Sequence, residues 1–279
     1  EFYEELKRLD IEIIRTDINE CYKDFKTKND KFYYALGGIK AVGYEAISNI
    51  VSERSKNGNF VSISDFLKRI NPKDINKLQL EGLVKAGAFD KLNSNRQALF
   101  NSIPNFIIKS KNFFENKSTN QIDLFGENEN EENEIILTIN DWKFEERLSK
   151  EFEAVGFFIS DHPLNQFKEI FNDYNIDDYQ TFNNNDDLKG NNIAATLLKI
   201  QERKTAKGNA YAVLKLTDLS SVFELFIFSD TLELNREILK EGSSLILTLT
   251  KSISNDENRL KRINVNKIVS LKDLINKPI

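Results

Sequence analysis

From residue 115 to 134 the chain loses its apolar side chains almost completely: Asn, Glu, Ser and Thr fill the run, and one cluster around Ile122, Leu124 and Phe125 interrupts it. Such a stretch cannot bury enough surface to offset the entropy of ordering it, so it reads as a flexible linker between segments that each need their own core. The hydrophobic period changes across it. Before the linker, Ala46, Ile47, Ile50 and Val51, and then Leu80, Leu83 and Val84, recur at helical spacing. Ser62 or Ser64 can cap the helix carrying Phe66, Leu67 and Ile70, and Asn71-Pro72 stops it. From Asn192 onward the pattern predicts strands at 193–200, 211–216, 223–228, 244–249 and 260–265, with one helix over 231–239.

The expected class is therefore α+β and multi-domain: a tandem helix-hairpin-helix α domain, the linker, a small helical segment, and a five-stranded OB-type barrel, for which a small open sheet is the alternative. The 279 residues, 40% of them apolar, suffice for two domains. No run approaches the roughly 20 apolar residues of a membrane helix, the amino end lacks a signal peptide, and a cytoplasmic location without membrane contact is expected. The chain begins without Met, inside what reads as a helix over residues 3–9, as expected of a piece of something larger. Cys21 and His162 are the only residues of their kinds, which excludes an intrachain disulfide and a Cys/His zinc cage.

A net charge of -5 and a pI near 5.3 argue at first against nucleic acid. The sum hides segregation: acids crowd 127–134, while Arg203, Lys204 and Lys207 share one loop and Arg259, Lys261 and Arg262 another.

Three segments carry binding potential. In Leu36-Gly37-Gly38-Ile39-Lys40-Ala41-Val42-Gly43 a tight turn leads into a helix near Glu45, so backbone N–H groups around Gly38, Val42 and Gly43 can grip a phosphate while Lys40 adds charge. The competing reading is an ordinary helical corner that needs glycine for a positive φ. Leu83-Val84-Lys85-Ala86-Gly87-Ala88-Phe89 repeats the theme, with Lys85 and Gly87 as its candidates and a helix from about Asn95. In the linker, Gln121-Ile122-Asp123-Leu124-Phe125 offers an amide, an acid and two apolar anchors, a hook for a partner's pocket. The alternative is that Leu124 and Phe125 fold back on this chain. In the strand region, Arg203, Lys204 and Lys207 lie beside Tyr211, as in barrels that track single strands. Phe226 and Phe228, at period two, read rather as core.

Catalytic constellations are missing from the reading. His162 in Ser160-Asp161-His162-Pro163 reads as a turn at a helix start, no phosphate loop of the Gly-Lys-Ser/Thr type is present, and no strand carries an Asp-x-Asp pair for metals.

The linear order of these parts resembles the carboxy-terminal half of the alpha subunit of bacterial DNA polymerase III. Thr16-Asp17-Ile18-Asn19, the Leu36 to Gly43 hairpin, Leu83 to Asp90, Gln121 to Gly126, Gly156-Phe157-Phe158-Ile159-Ser160-Asp161-His162-Pro163-Leu164 and Lys204-Thr205-Ala206-Lys207-Gly208-Asn209 carry the resemblance. It implies an end of the fingers region at 1–30, tandem hairpins on duplex DNA at 31–115, a linker with the sliding-clamp peptide at 116–134, a helical connector at 135–190, an OB domain near single-stranded template at 191–272, and a tail at 273–279. DNA, the sliding clamp and other replicase subunits are the implied partners. The catalytic palm with its magnesium would lie before Glu1, so no cofactor and no polymerase activity are expected of this segment alone. A free-standing junction or repair protein with hairpins and an OB barrel is the alternative.

Overall fold

The computed structural model describes Leu6 and residues 9–119, 136–254 and 261–275. It forms two compact units, Leu6–Asp161 and a second beginning at His162.

The first unit opens with a small sheet of β1 (Glu12–Ile14), β2 (Lys26–Lys28) and β3 (Lys31–Tyr33) in the order β1-β3-β2. Asn29 and Asp30, with φ of 51° and 57°, turn β2 back into β3, as a tight hairpin requires. A 3-10 turn at Leu36–Gly38 leads to five helices: α1 (Tyr44–Asn57), α2 (Ile63–Arg69), α3 (Lys77–Lys85), α4 (Arg96–Thr119) and α5 (Phe144–Val155). Polar side chains set their starts. Ser62 caps α2 by accepting the Asp65 N–H at 3.0 Å, and Asn76 with Gln79 forms a reciprocal capping box on α3. The apolar stripes meet in one core that includes Leu36, Ile39, Ile47, Ile50, Phe66 and Leu83, to which Ala154 and Val155 of α5 also belong.

The second unit starts at His162, whose Nδ1 accepts the Leu164 N–H at 3.2 Å and caps a 3-10 helix at Pro163–Ile170. The lone histidine thus has the turn role its sequence context implied. After β4 (Ile176–Asp177) and α6 (Tyr179–Asn184) come β5 (Gly190–Lys204), β6 (Ala210–Thr217), β7 (Val222–Phe228), α7 (Ser229–Asn235), β8 (Ser244–Ile253), β9 (Lys261–Ser270) and α8 (Leu271–Ile275). All five expected strands are present, and the expected helix lies between the third and fourth of them. The path is β7-β6-β5-β8-β9, with β4 added in parallel on β5. One strand, β5, serves two partners, pairing with β8 through 190–196 and with β6 through 196–204, with its register shifting between Leu197 and Lys199. The sheet has six strands and is not closed. Where a barrel would zip β7 to β9, the two touch without a ladder among the described residues, and α7 packs on both with Leu232 fully buried. Phe223, Leu225 and Ile227 alternate inward against Leu214, Leu216, Leu245 and Leu247.

Several expected boundaries fall elsewhere. Helix α4 runs through Thr119 rather than ending near 115, and the division at 30 would cut the small sheet, whose β3 begins at Lys31. The connector expected at 135–190 is shared between the two units because α5 is built into the first core. The helix expected over 3–9 lies largely, and the 121–125 peptide wholly, outside the described residues.

Candidate nucleic-acid interface

Helix α1 begins at Tyr44 with Gly43 as its N-cap, and no side chain caps it. The first amides of a helix have no intrahelical acceptor, so those of Tyr44, Glu45 and Ala46 form an uncovered, partly positive end. Lys40 and Ala41 are exposed beside it, while Ile39 and Val42 are buried and pin the loop to the core. The Lys40 N–H donates to the Ala154 carbonyl at 2.9 Å. The side chain of Lys40 is in no ion pair among the described residues, and the one acid of the helix's first turn is exposed Glu45.

Glycine does not serve here for a positive φ. Gly43 has φ -70°, and the left-handed residue is Ala41 at 63°. A Cβ on Gly43 would lie 2.9 Å from the Gln79 amide nitrogen. Gly38, by contrast, is exposed, and a Cβ there would make only ordinary contacts, 3.6 Å from Tyr34 Oη and 3.7 Å from Ala35 Cβ. Gly82 of α3 is the glycine that seats the loop, since a Cβ there would meet the Lys40 carbonyl at 2.8 Å and Val42 Cγ2 at 2.9 Å. Sequence reading passed over Gly82; its signal was a glycine inside the apolar stripe of a helix.

The second hairpin is built differently. Gly87, φ 81°, ends α3 in a Schellman arrangement, with the Ala88 N–H on the Leu83 carbonyl at 2.9 Å and the Gly87 N–H on that of Val84 at 3.0 Å. The next helix end is covered: Asn95 accepts the Ala98 N–H at 2.9 Å, and Asp141 accepts that of Gln97 at 3.0 Å. Arg96 fills the space beside Gly87, bonding both Asp90 oxygens at 2.8 and 2.7 Å and Glu151 at 3.1 Å. Glu151 is 1% exposed and also accepts the N–H groups of Ile159 and Ser160 at 2.7 and 2.8 Å. Lys85 is largely covered, lying over the Phe100 ring at 5.4 Å, and pairs with the more exposed Glu153 at 2.8 Å.

Glu153 joins the two hairpins. Its hydrogen bond from Lys85 comes first, and with the charges of Lys85, Lys150 and Lys40 it holds the carboxyl below the usual glutamate range against the opposing effect of burial. The two lysines singled out 45 positions apart therefore act on one carboxylate, on a surface whose cations outnumber it. The fold thus presents one open helix end, Lys40, Lys150 and an ion-paired Lys85, a combination suited to anions.

In the second unit, Arg203 stands opposite Tyr211, and Tyr211 opposite Phe228, in one cross-strand row; Gln201, Val213 and Phe226 form the next. Lys204 ends β5, and Lys207 is exposed in the turn closed by the Gly208 N–H on the Thr205 carbonyl at 2.8 Å. Phe226 and Phe228 are 51% and 53% exposed, which corrects their assignment to the core. Their parity opposes that of Phe223, Leu225 and Ile227, so β7 is apolar on both faces, a pattern visible in the sequence. Arg203, a tyrosine and two open phenylalanine rings thus share one sheet face, while Lys204 has the opposite parity and Lys207 lies in the adjoining turn.

Among the described residues, no group of three or more His, Cys, Asp or Glu side chains is arranged to hold a metal ion, and no helix is long and apolar enough to cross a membrane.

The family described as helix-hairpin-helix motif matches residues 10–99, a stretch holding both hairpins and the small sheet. The DNA polymerase III subunit alpha of Borreliella burgdorferi is 30% identical over 87% of this chain and 22% of its own length. The corresponding subunit of Rickettsia conorii is 35% identical over 87% of the chain and 20% of its own length. That of Escherichia coli is 28% identical over 88% of the chain and 22% of its own length. The chain spans about a fifth of the length of these curated relatives, and the matched 87–88% is too long to lie within either unit alone. The chain is similar to bacterial DNA polymerase III alpha subunits over about a fifth of their length, and its own residues 10–99 match the helix-hairpin-helix motif family.

Proposed function

We propose that this chain is a DNA-binding and clamp-tethering part of a replicative DNA polymerase, without catalytic residues of its own, working in the cytoplasm. The observation that carries the reading is the uncapped amino end of α1 beside Lys40, inside the stretch matched as a helix-hairpin-helix motif. Backbone amides and a lysine bind phosphate without regard to base sequence, which suits a protein that must hold duplex DNA at any position. Of the two hairpins the first would make the direct grip through Lys40 and the amides from Gly43 into the start of α1; the Gly38 and Val42 N–H groups, expected to share in it, donate instead to the Ala35 and Ile39 carbonyls at 3.0 and 3.2 Å. The second, through Lys85 and Gly87, supports the same surface. The open sheet, ordered β7-β6-β5-β8-β9, would serve as an OB-type platform, with Arg203, Lys204, Lys207 and Tyr211 together with Phe226 and Phe228 taking single-stranded template. Gln121, Asp123, Leu124 and Phe125 would hook a sliding clamp, the two apolar residues as anchors.

Duplex binding measured across a salt series tests the first part: log affinity should fall with log salt at a slope of about -0.9 per phosphate neutralised. A flat response would contradict it. For the hook, a synthetic peptide spanning 121–125 should compete with the chain for a sliding clamp, and Leu124→Ala with Phe125→Ala should cost about 2 kcal/mol or more per anchor. Unchanged clamp binding in that double variant removes the tethering role. A free-standing repair protein is the weaker reading, since the polymerase relatives match across both units.

A further inference from the structure

The glycine at 37, part of the hairpin string, has no part in the phosphate grip. A Cβ there would lie 2.6 Å from the Lys23 carbonyl, and the Gly37 N–H donates to that same oxygen at 3.1 Å while the Leu36 N–H donates to the Tyr22 carbonyl at 2.8 Å. The segment from Tyr22 to β2 is thereby bolted to the turn that precedes α1. It lays a basic edge beside the open helix end. Lys23 sits over the Tyr44 ring at 4.9 Å and Lys26 over the Tyr22 ring at 4.2 Å. Lys26 and Lys28, two residues apart in the edge strand, share a face about 7 Å apart.

Between this edge and α1 runs an open groove of about 350 Å³, with Tyr22, Lys23 and Lys26 on one wall and Ser48, Val51 and Ser52 on the other. Ser48 and Ser52 follow Tyr44 at successive four-residue steps, so the groove extends along the helix from its amino end. Lys23, Lys26 and Lys28 are in no ion pair among the described residues, and the Ser48 and Ser52 hydroxyls have no hydrogen-bond partner there. Many cations elsewhere in this unit are neutralised: Lys31 by Glu12 at 3.0 Å, Lys91 by Asp17 at 3.1 Å and Arg69 by Glu53 at 3.1 Å. The acid on the groove's rim, Asp24, accepts the Tyr44 hydroxyl at 2.8 Å, and Asp30 lies at the far tip of the β2–β3 turn.

We propose that this groove and the β2 edge form a second backbone-binding track, holding through Lys23, Lys26 and Lys28, with Ser48 and Ser52 as donors, the phosphates that continue from those gripped at α1. The proposal rests on the DNA-binding reading and adds a surface to it. Unpaired cations and free hydroxyls in line with an anion-binding helix end fit a sugar-phosphate chain, whose charges repeat along its length, better than a compact anion.

The test compares the whole chain with Lys26→Gln/Lys28→Gln and with Lys40→Gln, using labelled duplex DNA of two unrelated sequences and polyglutamate as the acidic-protein probe, each across a salt series. The Lys26/Lys28 variant should bind both duplexes more weakly, with its salt slope shallower by about 1.8, two phosphates' worth. The Lys26→Arg/Lys28→Arg variant should restore the affinity, which separates lost charge from a damaged fold. A Lys40→Gln loss with unchanged binding in the Lys26/Lys28 variant overturns the track while leaving the α1 grip intact. Polyglutamate binding lost with duplex binding unchanged assigns the edge to acidic protein and also overturns it. Wild-type duplex binding without salt dependence sinks the track together with the reading beneath it.

Discussion

Arg96 is 2% exposed and joins three elements, through Asp90, Glu151 and the Lys85 carbonyl at 3.0 Å. Removing one member of a buried ion pair strands its partner, so Arg96→Ala should lower the stability of the first unit by about 3–5 kcal/mol in urea denaturation. A loss under 1 kcal/mol would mean that Glu151 is satisfied by the Ile159 and Ser160 amides alone. Cys21 and Tyr34 report on the same core through protons. Burial pushes the Cys21 thiol up to about 12 from 9.0 and the Tyr34 phenol up to about 12 from 10.0. Each holds its proton more tightly in the folded state, so what it contributes to stability is intact below pH 9 and is lost as the pH climbs toward 12. For Cys21 the full effect is about 4 kcal/mol. Denaturation midpoints taken across that window should fall steadily, the fall should lessen in Cys21→Ala, and the native thiol should resist alkylation at pH 8 until the chain is unfolded.

At the scale of elements, Gly82 decides how α3 and the hairpin loop fit. Alanine would favour the helix by about 1 kcal/mol, yet its methyl would press on the Lys40 carbonyl and Val42. Overpacking should win: Gly82→Ala is expected to destabilise by about 1–3 kcal/mol in thermal melts and to weaken duplex binding by displacing the loop. A more stable variant would show that the loop yields. Helices and strands were legible because their signals are local, as in the Ser62 cap, the stripe through Ile47 and Ile50, and the alternation of Phe223, Leu225 and Ile227. The difference between the hairpins was not. Lys40-Ala41 and Lys85-Ala86 look alike as strings, and the groups that close the second come from far along the chain: Glu153, 68 residues from Lys85, and Asp141, 44 from Gln97. The roles of Gly37 and Gly82 were hidden for the same reason, since the atoms that forbid a Cβ belong to other elements. Phe226 and Phe228 were misplaced by a rule of frequency although their parity against Ile227 was in view.

At the scale of the whole molecule, each unit has its own core, one centred on Leu36, Ile47 and Phe66 and the other on Leu214, Leu225 and Leu247. Residues 6–161 and 162–279 expressed separately should each melt cooperatively, with salt-dependent duplex binding staying with the first. Binding of single strands should stay with the second and weaken by about 1–3 kcal/mol for each stacked base lost when Phe226 and Phe228 become Ala. Single-strand affinity unchanged by that double substitution would remove the platform. The uncapped start of α1 carries a further consequence. Its donors are main-chain amides and belong to no side chain, so ordinary point substitution cannot delete them, proline apart. If this end grips phosphates as proposed, substituting the lysines around the loop would change the strength of attachment while leaving the amide donors in place. A hold of that kind, reading no base, would be equally good at every step along a duplex, so a helix end so used would release one phosphate and take the next without meeting a deeper well at any position.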